Sequence, residues 1–327
     1  MPAVDAFGDR LAAAVAARES QIVLGIDPDP ARLWPEALER TAEARAELVR
    51  ALGAAGAEVW GASTRLGSPA AVEAGAAVLA HSLALIDAAG PACVAAKPQL
   101  ACFERLGPAG ALALDAVCAH ARAAGLLVLA DGKRGDVPVS AATYAQALTG
   151  ETPSPFGTVP GLGVDALTAN PLIGRDALEP LVASARAAGA GVFVLVRTSN
   201  PGAGDLMDLP LAGGEPFWER LARLTADLGA AGGSGLADVG AVTGATAPEH
   251  LARMRELMPA TPFLLPGVGA QGGDVRTLAP AFAPGRAGGL VTASRSIAQA
   301  HEQDGDDPAT AARREAERLR EAAWTLA

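Results

Sequence analysis

The sequence predicts an α/β protein built as a single (β/α)8, or TIM, barrel over residues 1–327, and three observations carry that expectation. Short apolar runs of β-strand length alternate with helix-forming segments along the chain, the pattern of parallel strands joined by helical crossovers. The runs number eight, the closure number of this barrel. Strand one ends in DPDP, where the alternative of an open doubly wound dinucleotide-binding sheet would carry a G-x-G-x-x-G turn.

Taken in order, residues 5–18 form a helix, with Ala, Leu and Val at helical spacing. Strand one, QIVLGID at 21–27, is ended by Pro28 and Pro30, which cannot continue a ladder. Residues 31–56 are rich in good helix formers, 61–69 turn polar and loop, and 70–89 are helical again. Strand two is CVAAK at 93–97, stopped by Pro98. A helix over 110–124, with Gly125 at its C-terminal cap, leads into strand three in the stretch 126–136, LLVLADGKRGD. Residues 137–148 form the next helix, with Pro138 in its first turn, and 151–163 a Pro/Gly/Thr-rich loop. Strand four at 165–169 precedes a helix at 175–188, and strand five, GVFVLVRT at 191–198, precedes a Gly/Pro-rich loop at 200–214 and a helix at 215–228. Strand six (239–244), a helix (248–258) and strand seven (263–269) follow, then a Gly-rich turn at 271–274 opening a short helix. Strand eight at 288–294 and an amphipathic helix at 307–324 close the chain.

Composition sets the chemistry in bounds. With 50% hydrophobic residues the chain can bury a large core and lacks the signature of disorder. A net charge of −10 without any Lys/Arg block disfavours nucleic acid as a partner, while leaving room for a small anion held by local cations. Cys93, Cys102 and Cys118 show no C-x-x-C spacing and read as small buried hydrophobes in a reducing compartment. His81, His120, His250 and His301 form no ligand pattern, so no metal is expected. Neither a basic-then-apolar leader nor about 18 uninterrupted apolar residues is present, so the expectation is a cytoplasmic protein without a membrane.

In such a barrel the active site lies at the carboxyl ends of the strands. The polar residues there are Asp27, Lys97, Asp131, Lys133, Asn170, Thr198, Ser199 and Arg295. Asp131 and Lys133, two apart, share a strand face if the strand persists, and Lys97 and Asp27 stand on the next strands about 4.8 Å apart. Singly, each has a bland reading as a surface ion pair or a turn former. Converging on one mouth, they make an array of alternating sign. A lysine flanked by carboxylates stays charged and can act as a general acid, which suits a reaction that builds negative charge on carbon and then protonates it. PGVGAQGGD after strand seven offers Gln271 and the N–H groups of Gly272 and Gly273 before a helix, and Arg295 follows strand eight. Loops after these two strands are the usual phosphate site of this fold.

LADGKRGDV, with AAKPQ upstream, GIDPDP at strand one, TSNPG at strand five, LPGVGAQGGD at strand seven and SRSI at strand eight, resembles orotidine 5'-phosphate decarboxylase, in the longer bacterial branch whose motif reads D-x-K-R-G-D. The motifs run in the same order from about residue 22 to 297. The resemblance implies removal of the C6 carboxylate of orotidine 5'-phosphate to give uridine 5'-phosphate, without metal or organic cofactor. It implies Lys133 as proton donor, with Lys97 and Asp131 as charged neighbours. Asp136 would come from the partner of a homodimer with shared active sites, accompanied by Ser140. Asp27 would bind a ribose hydroxyl, Ser199 the pyrimidine amide edge, and Gln271 and Arg295 the phosphate. Two positions depart from the pattern: Pro138 stands where a small residue such as glycine is expected, and Gly132 where alanine is commoner. Neither removes a charged group. The alternatives are a related metal-dependent phosphosugar barrel lyase or synthase, a Schiff-base enzyme acting through Lys133, and a catalytically silent nucleotide-binding protein.

Overall fold

The computed structural model describes residues 5–53 and 69–327. The polar loop expected at 61–69 and the end of the helix expected at 31–56 lie outside the described residues, apart from Pro69, which opens the next helix. Eight strands close a parallel barrel: β1 Ile22–Ile26, β2 Ala95–Pro98, β3 Leu127–Arg134, β4 Ala166–Ala169, β5 Gly191–Arg197, β6 Val239–Thr243, β7 Phe263–Pro266 and β8 Gly289–Ala293. They stand in chain order round the ring, and β8 returns to β1 through Ile22 opposite Val291. Strands covered on both faces need apolar residues at nearly every position, which is why these runs read as unbroken hydrophobic stretches.

Side-chain alternation divides the core in two. Residues such as Ile22, Leu24, Ala96, Val128 and Val194 face the surrounding helices, while Val23, Ala95, Leu129, Ala166, Phe193, Leu264 and Leu290 fill the barrel interior. The N-terminal helix Phe7–Arg18 plugs the floor. Its buried stripe of Phe7, Leu11 and Val15 recurs every four residues, and Phe7 meets Phe193 edge to face at 5.9 Å between ring centroids. Gly191 makes room for it, since a Cβ there would lie 2.3 Å from the Phe7 ring.

Local differences from expectation have physical causes. The helical region after strand one is two helices, Pro35–Glu39 and Thr41–Gly53, separated by Arg40, with no glycine or proline in the sequence to mark the break. Pro98 continues β2 instead of stopping it, because opposite Ile26 its carbonyl side is still usable although its nitrogen cannot donate. A short helix, Leu100–Glu104, precedes Gly107–Ala123. The loop at 151–163 contains an antiparallel hairpin pairing Glu151 with Pro160 and Thr152 with Val159. The loop at 200–214 carries one helical turn, Ala203–Leu206, and is tied to the end of β5 by paired Arg197–Asp208 hydrogen bonds of 3.0 and 2.8 Å.

One described segment, Pro69–Ala92, is long and apolar enough to cross a membrane by length and composition. Its helical part packs against the helices Thr41–Gly53, Gly107–Ala123 and Pro308–Leu326, which accounts for that composition.

Candidate active site

Following the inward-facing positions up the barrel, apolar residues give way to polar ones at the carboxyl ends: Ala95 to Lys97, Leu129 to Asp131, Ala166 to Thr168, Leu290 to Thr292. Lys97, Asp131, Thr168 and Thr292 line a cavity of about 380 Å³ at the mouth. Buried polar side chains need partners, and Lys97, Asp131 and Thr168 find one another, whereas the Thr292 hydroxyl has no partner among the described residues. Asp131 Oδ2 accepts from Lys97 Nζ at 2.6 Å and from Gln99 Nε2 at 3.4 Å; Oδ1 accepts from Lys133 Nζ at 2.7 Å and from the Thr168 hydroxyl at 2.9 Å. Lys97 and Asp131 are only 5% and 6% exposed, so their attraction is poorly screened, while Lys133 reaches into the open cavity.

The electrostatics favour full ionisation. Burial alone would raise the Asp131 carboxyl, but the ammonium groups of Lys97 and Lys133 override it and hold it well below the usual carboxylate range. Burial also opposes the charge on Lys97; Asp131 and then Asp27 outweigh it and hold the amine above its ordinary value. Asp27 stands exposed at the end of β1 on the rim of the same cavity.

The opposite wall carries a cation and an amide side chain. Gln271 and Arg295 line it, with Gly267 and Val268 between, and Thr198, Ser199 and Asn200 reach in from β5. Arg295 has no ion-pair partner among the described residues, which leaves its guanidinium for a ligand. The expected N–H donors Gly272 and Gly273 are a correction. Both amides are used within their own turn, Gly272 N to Gly269 O at 2.8 Å and Gly273 N to Gly267 O at 2.9 Å, and neither residue lines the cavity. The segment after them is a three-residue 3-10 turn, Val275–Thr277, and not an α-helix with an open N-terminus.

Of the residues expected from the sequence, Asp27, Lys97, Asp131, Lys133, Ser199, Gln271 and Arg295 converge on this cavity. Asp136 and Ser140 do not line it: the Asp136 carboxylate accepts from Val137 N at 2.7 Å, and Ser140 lies in the first turn of Pro138–Leu148. Asn170 also turns away, its side chain accepting from Leu172 N at 3.0 Å to cap a 3-10 turn. Polar lining residues that escaped the sequence reading include Gln99, Thr168, Asn200, Thr292 and Ser294. Thr168 could have been found from alternation, being the inward position after Ala166, but a threonine within ALTA reads as ordinary β-branched filling. Among the described residues no three His, Cys, Asp or Glu side chains are grouped so as to hold a metal ion.

A closed parallel barrel with a lysine–aspartate–lysine array on one wall of its mouth and, on the other, an arginine with no ion-pair partner among the described residues defines a (β/α)8 enzyme built for a phosphorylated substrate. Residues 74–314 match the orotidine 5'-phosphate decarboxylase / HUMPS family, and the chain belongs to that family. It is 40% identical over 306 residues to the orotidine 5'-phosphate decarboxylase of Haloarcula marismortui, an alignment covering 93% of this chain and 89% of that protein. The crystal structure of a putative orotidine 5'-phosphate decarboxylase from Streptomyces avermitilis superposes with a TM-score of 0.73 at 30% identity, covering 99% of this chain and 96% of that one. The UMP synthase of Leishmania donovani matches with a TM-score of 0.68 at 28% identity, covering 98% of this chain and 57% of that longer one.

Proposed function

We propose that this chain removes the C6 carboxylate of orotidine 5'-phosphate to form uridine 5'-phosphate, in pyrimidine biosynthesis, with Lys133 protonating the ring carbon. The observation that carries this reading is the Lys97–Asp131–Lys133 array facing Arg295 across one cavity. With the phosphate on Arg295 and Gln271, the ring reaches the array on the opposite wall. The bond from C6 to the carboxylate breaks, carbon dioxide leaves, and the electron pair stays on C6. The Lys133 ammonium, held charged beside Asp131, stabilises that pair and donates a proton to it, and solvent reprotonates the amine. Asp131 presents negative charge where the substrate carboxylate would lie, a contact relieved when carbon dioxide departs. Asp27 serves the ribose and Ser199 the pyrimidine amide edge.

The same reading gives the chain a second copy of itself as partner, contributing Asp136 and Ser140 to a shared site. Supporting it, Asp136 is outside its own cavity, and the exposed Val137, Val139, Leu172 and Ile173 give the adjacent β3 and β4 ends an apolar surface. The whole chain then acts as one barrel domain, with its N-terminal helix as a floor and its C-terminal helix as an extension, in the cytoplasm.

Loss of orotidine 5'-phosphate absorbance tests the activity. Wild type should turn the substrate over and Lys133→Ala should not; equal rates would remove Lys133 from the mechanism, and no turnover by either would remove the function. Turnover persisting in excess chelator separates this reading from the metal-dependent phosphosugar lyase. Mixing inactive Lys133→Ala with inactive Asp136→Ala should restore part of the activity, and its absence after verified subunit exchange counts against the shared site.

A further inference from the structure

β3 leaves the regular ladder just where its charged residues begin. Ala130 pairs with Leu167 and Arg134 with Ala169, so four steps along β3 are matched by two along β4. The surplus is a bulge, a device that re-aims side chains at the rims of barrels. Within it Lys133 has φ 46°, one of two non-glycine residues at positive φ among the described residues. That left-handed conformation is disfavoured for a lysine and persists only if its surroundings hold it.

Thr168 of β4 does the holding. Its Oγ1 lies 2.8 Å from Lys133 N and 2.9 Å from Asp131 Oδ1, and the residue is 2% exposed. The direction of both bonds follows from chemistry. A backbone N–H can only donate, so the hydroxyl accepts from Lys133 and its single proton goes to the Asp131 carboxylate. Lys133 Nζ returns to that same Oδ1 at 2.7 Å. A closed circuit results: Lys133 amide, Thr168 hydroxyl, Asp131 carboxylate, Lys133 ammonium.

We propose that Thr168 is a positioning residue for proton delivery, fixing both the backbone and the counter-ion of Lys133 so that its ammonium is aimed into the cavity. The assignment rests on the reading of Lys133 as proton donor. Its effect should fall on the chemical step and spare the phosphate grip, because Arg295 and Gln271 lie on the far wall.

Thr168→Val removes the hydroxyl at nearly constant shape, and Thr168→Ser keeps it. With orotidine 5'-phosphate, the valine variant should lose about 30- to 100-fold in kcat with KM within about threefold of wild type, and the serine variant should recover to within about fivefold. A valine variant with wild-type kcat, or one whose KM rises while kcat holds, overturns the proposal. So does a serine variant as impaired as valine while both bind uridine 5'-phosphate normally. A second readout needs no turnover: acetic anhydride labelling followed by peptide mass spectrometry should show Lys133 acetylated several-fold faster in Thr168→Val than in wild type. Unchanged labelling would sink the circuit even if wild type proved inactive on this substrate, and faster labelling of Thr168→Val alongside an inactive wild type would uphold the circuit while rejecting the decarboxylase reading.

Discussion

Asp131 is where the residue-scale energetics concentrate, since its two oxygens accept from four side chains and two of those are cations. Truncating such a partner leaves an uncompensated buried charge, commonly at a cost of about 3–5 kcal/mol. Asp131→Ala should therefore destabilise the fold by that order as well as abolish turnover, measurable as a fall in the urea midpoint. Because its carboxyl is held below the ordinary range, its stabilising contribution is present above the usual carboxylate pKa and is lost only as pH falls through the depressed value. Arg295 makes the opposite case, a cation with no ion-pair partner among the described residues. A charge-assisted contact of about 1.5–3 kcal/mol predicts that Arg295→Ala raises KM for orotidine 5'-phosphate roughly 10- to 100-fold. Orotidine lacking the phosphate should react equally poorly with both forms; an unequal loss would mean that Arg295 touches more than phosphate. At this scale the charges at strand ends were legible in the sequence, because a charge ending an apolar run demands an explanation. Thr168 was not, because a hydroxyl in a buried strand announces itself only when its partners are known.

Among the elements, the floor helix and the interrupted strands show what local pattern can and cannot specify. Phe7–Arg18 was readable from its helical spacing, but its role as a plug comes from the barrel it meets. Its position is secured by Arg18, which donates to Cys93 O at 2.6 Å and Gly90 O at 2.9 Å, and by an Arg10–Asp165 ion pair. Phe7→Ala should lower stability by about 3–5 kcal/mol, the usual loss for a buried aromatic. Since the plug lies at the end of the barrel away from the mouth, kcat of the folded variant should stay near wild type, and a parallel fall in kcat would show the two ends to be coupled. The helix break at Arg40 has no glycine or proline to signal it, and the bulge in β3 has only Gly132 within a charged strand end, so propensity passed over both. The turn at 271–274 failed differently. Its glycines suggested open amides, yet the chain folded those amides back on Gly267 and Gly269.

For the molecule as a whole, packing of the helices round the barrel buries groups that titrate, and stability should record it. His81, 5% exposed on the helix Pro69–Ala89, accepts from Trp34 N at 3.2 Å through Nδ1, so it is neutral there. Burial, with the nearby His301 adding to it, pushes its imidazole down to about 4. Between that value and the ordinary 6.5 the unfolded chain binds more protons than the folded one, so stability is lost as pH falls through this window, by about 3 kcal/mol in total. Urea denaturation at pH 7 and pH 4.5 should show this loss in wild type and a smaller one in His81→Asn; equal losses would assign the effect to other groups. The sequence by itself determined the eight strands, their parallel order and the identity of the charges at their ends. Those properties follow from alternation, run length and the cost of burying a charge, all of which act within a few residues. The tertiary structure alone decided that Arg295 has no ion-pair partner among the described residues, that Asp136 does not line its own cavity, and that Thr168 joins Lys133 to Asp131. Each depends on atoms far apart in the chain, brought within hydrogen-bond reach only when the ring of strands closes.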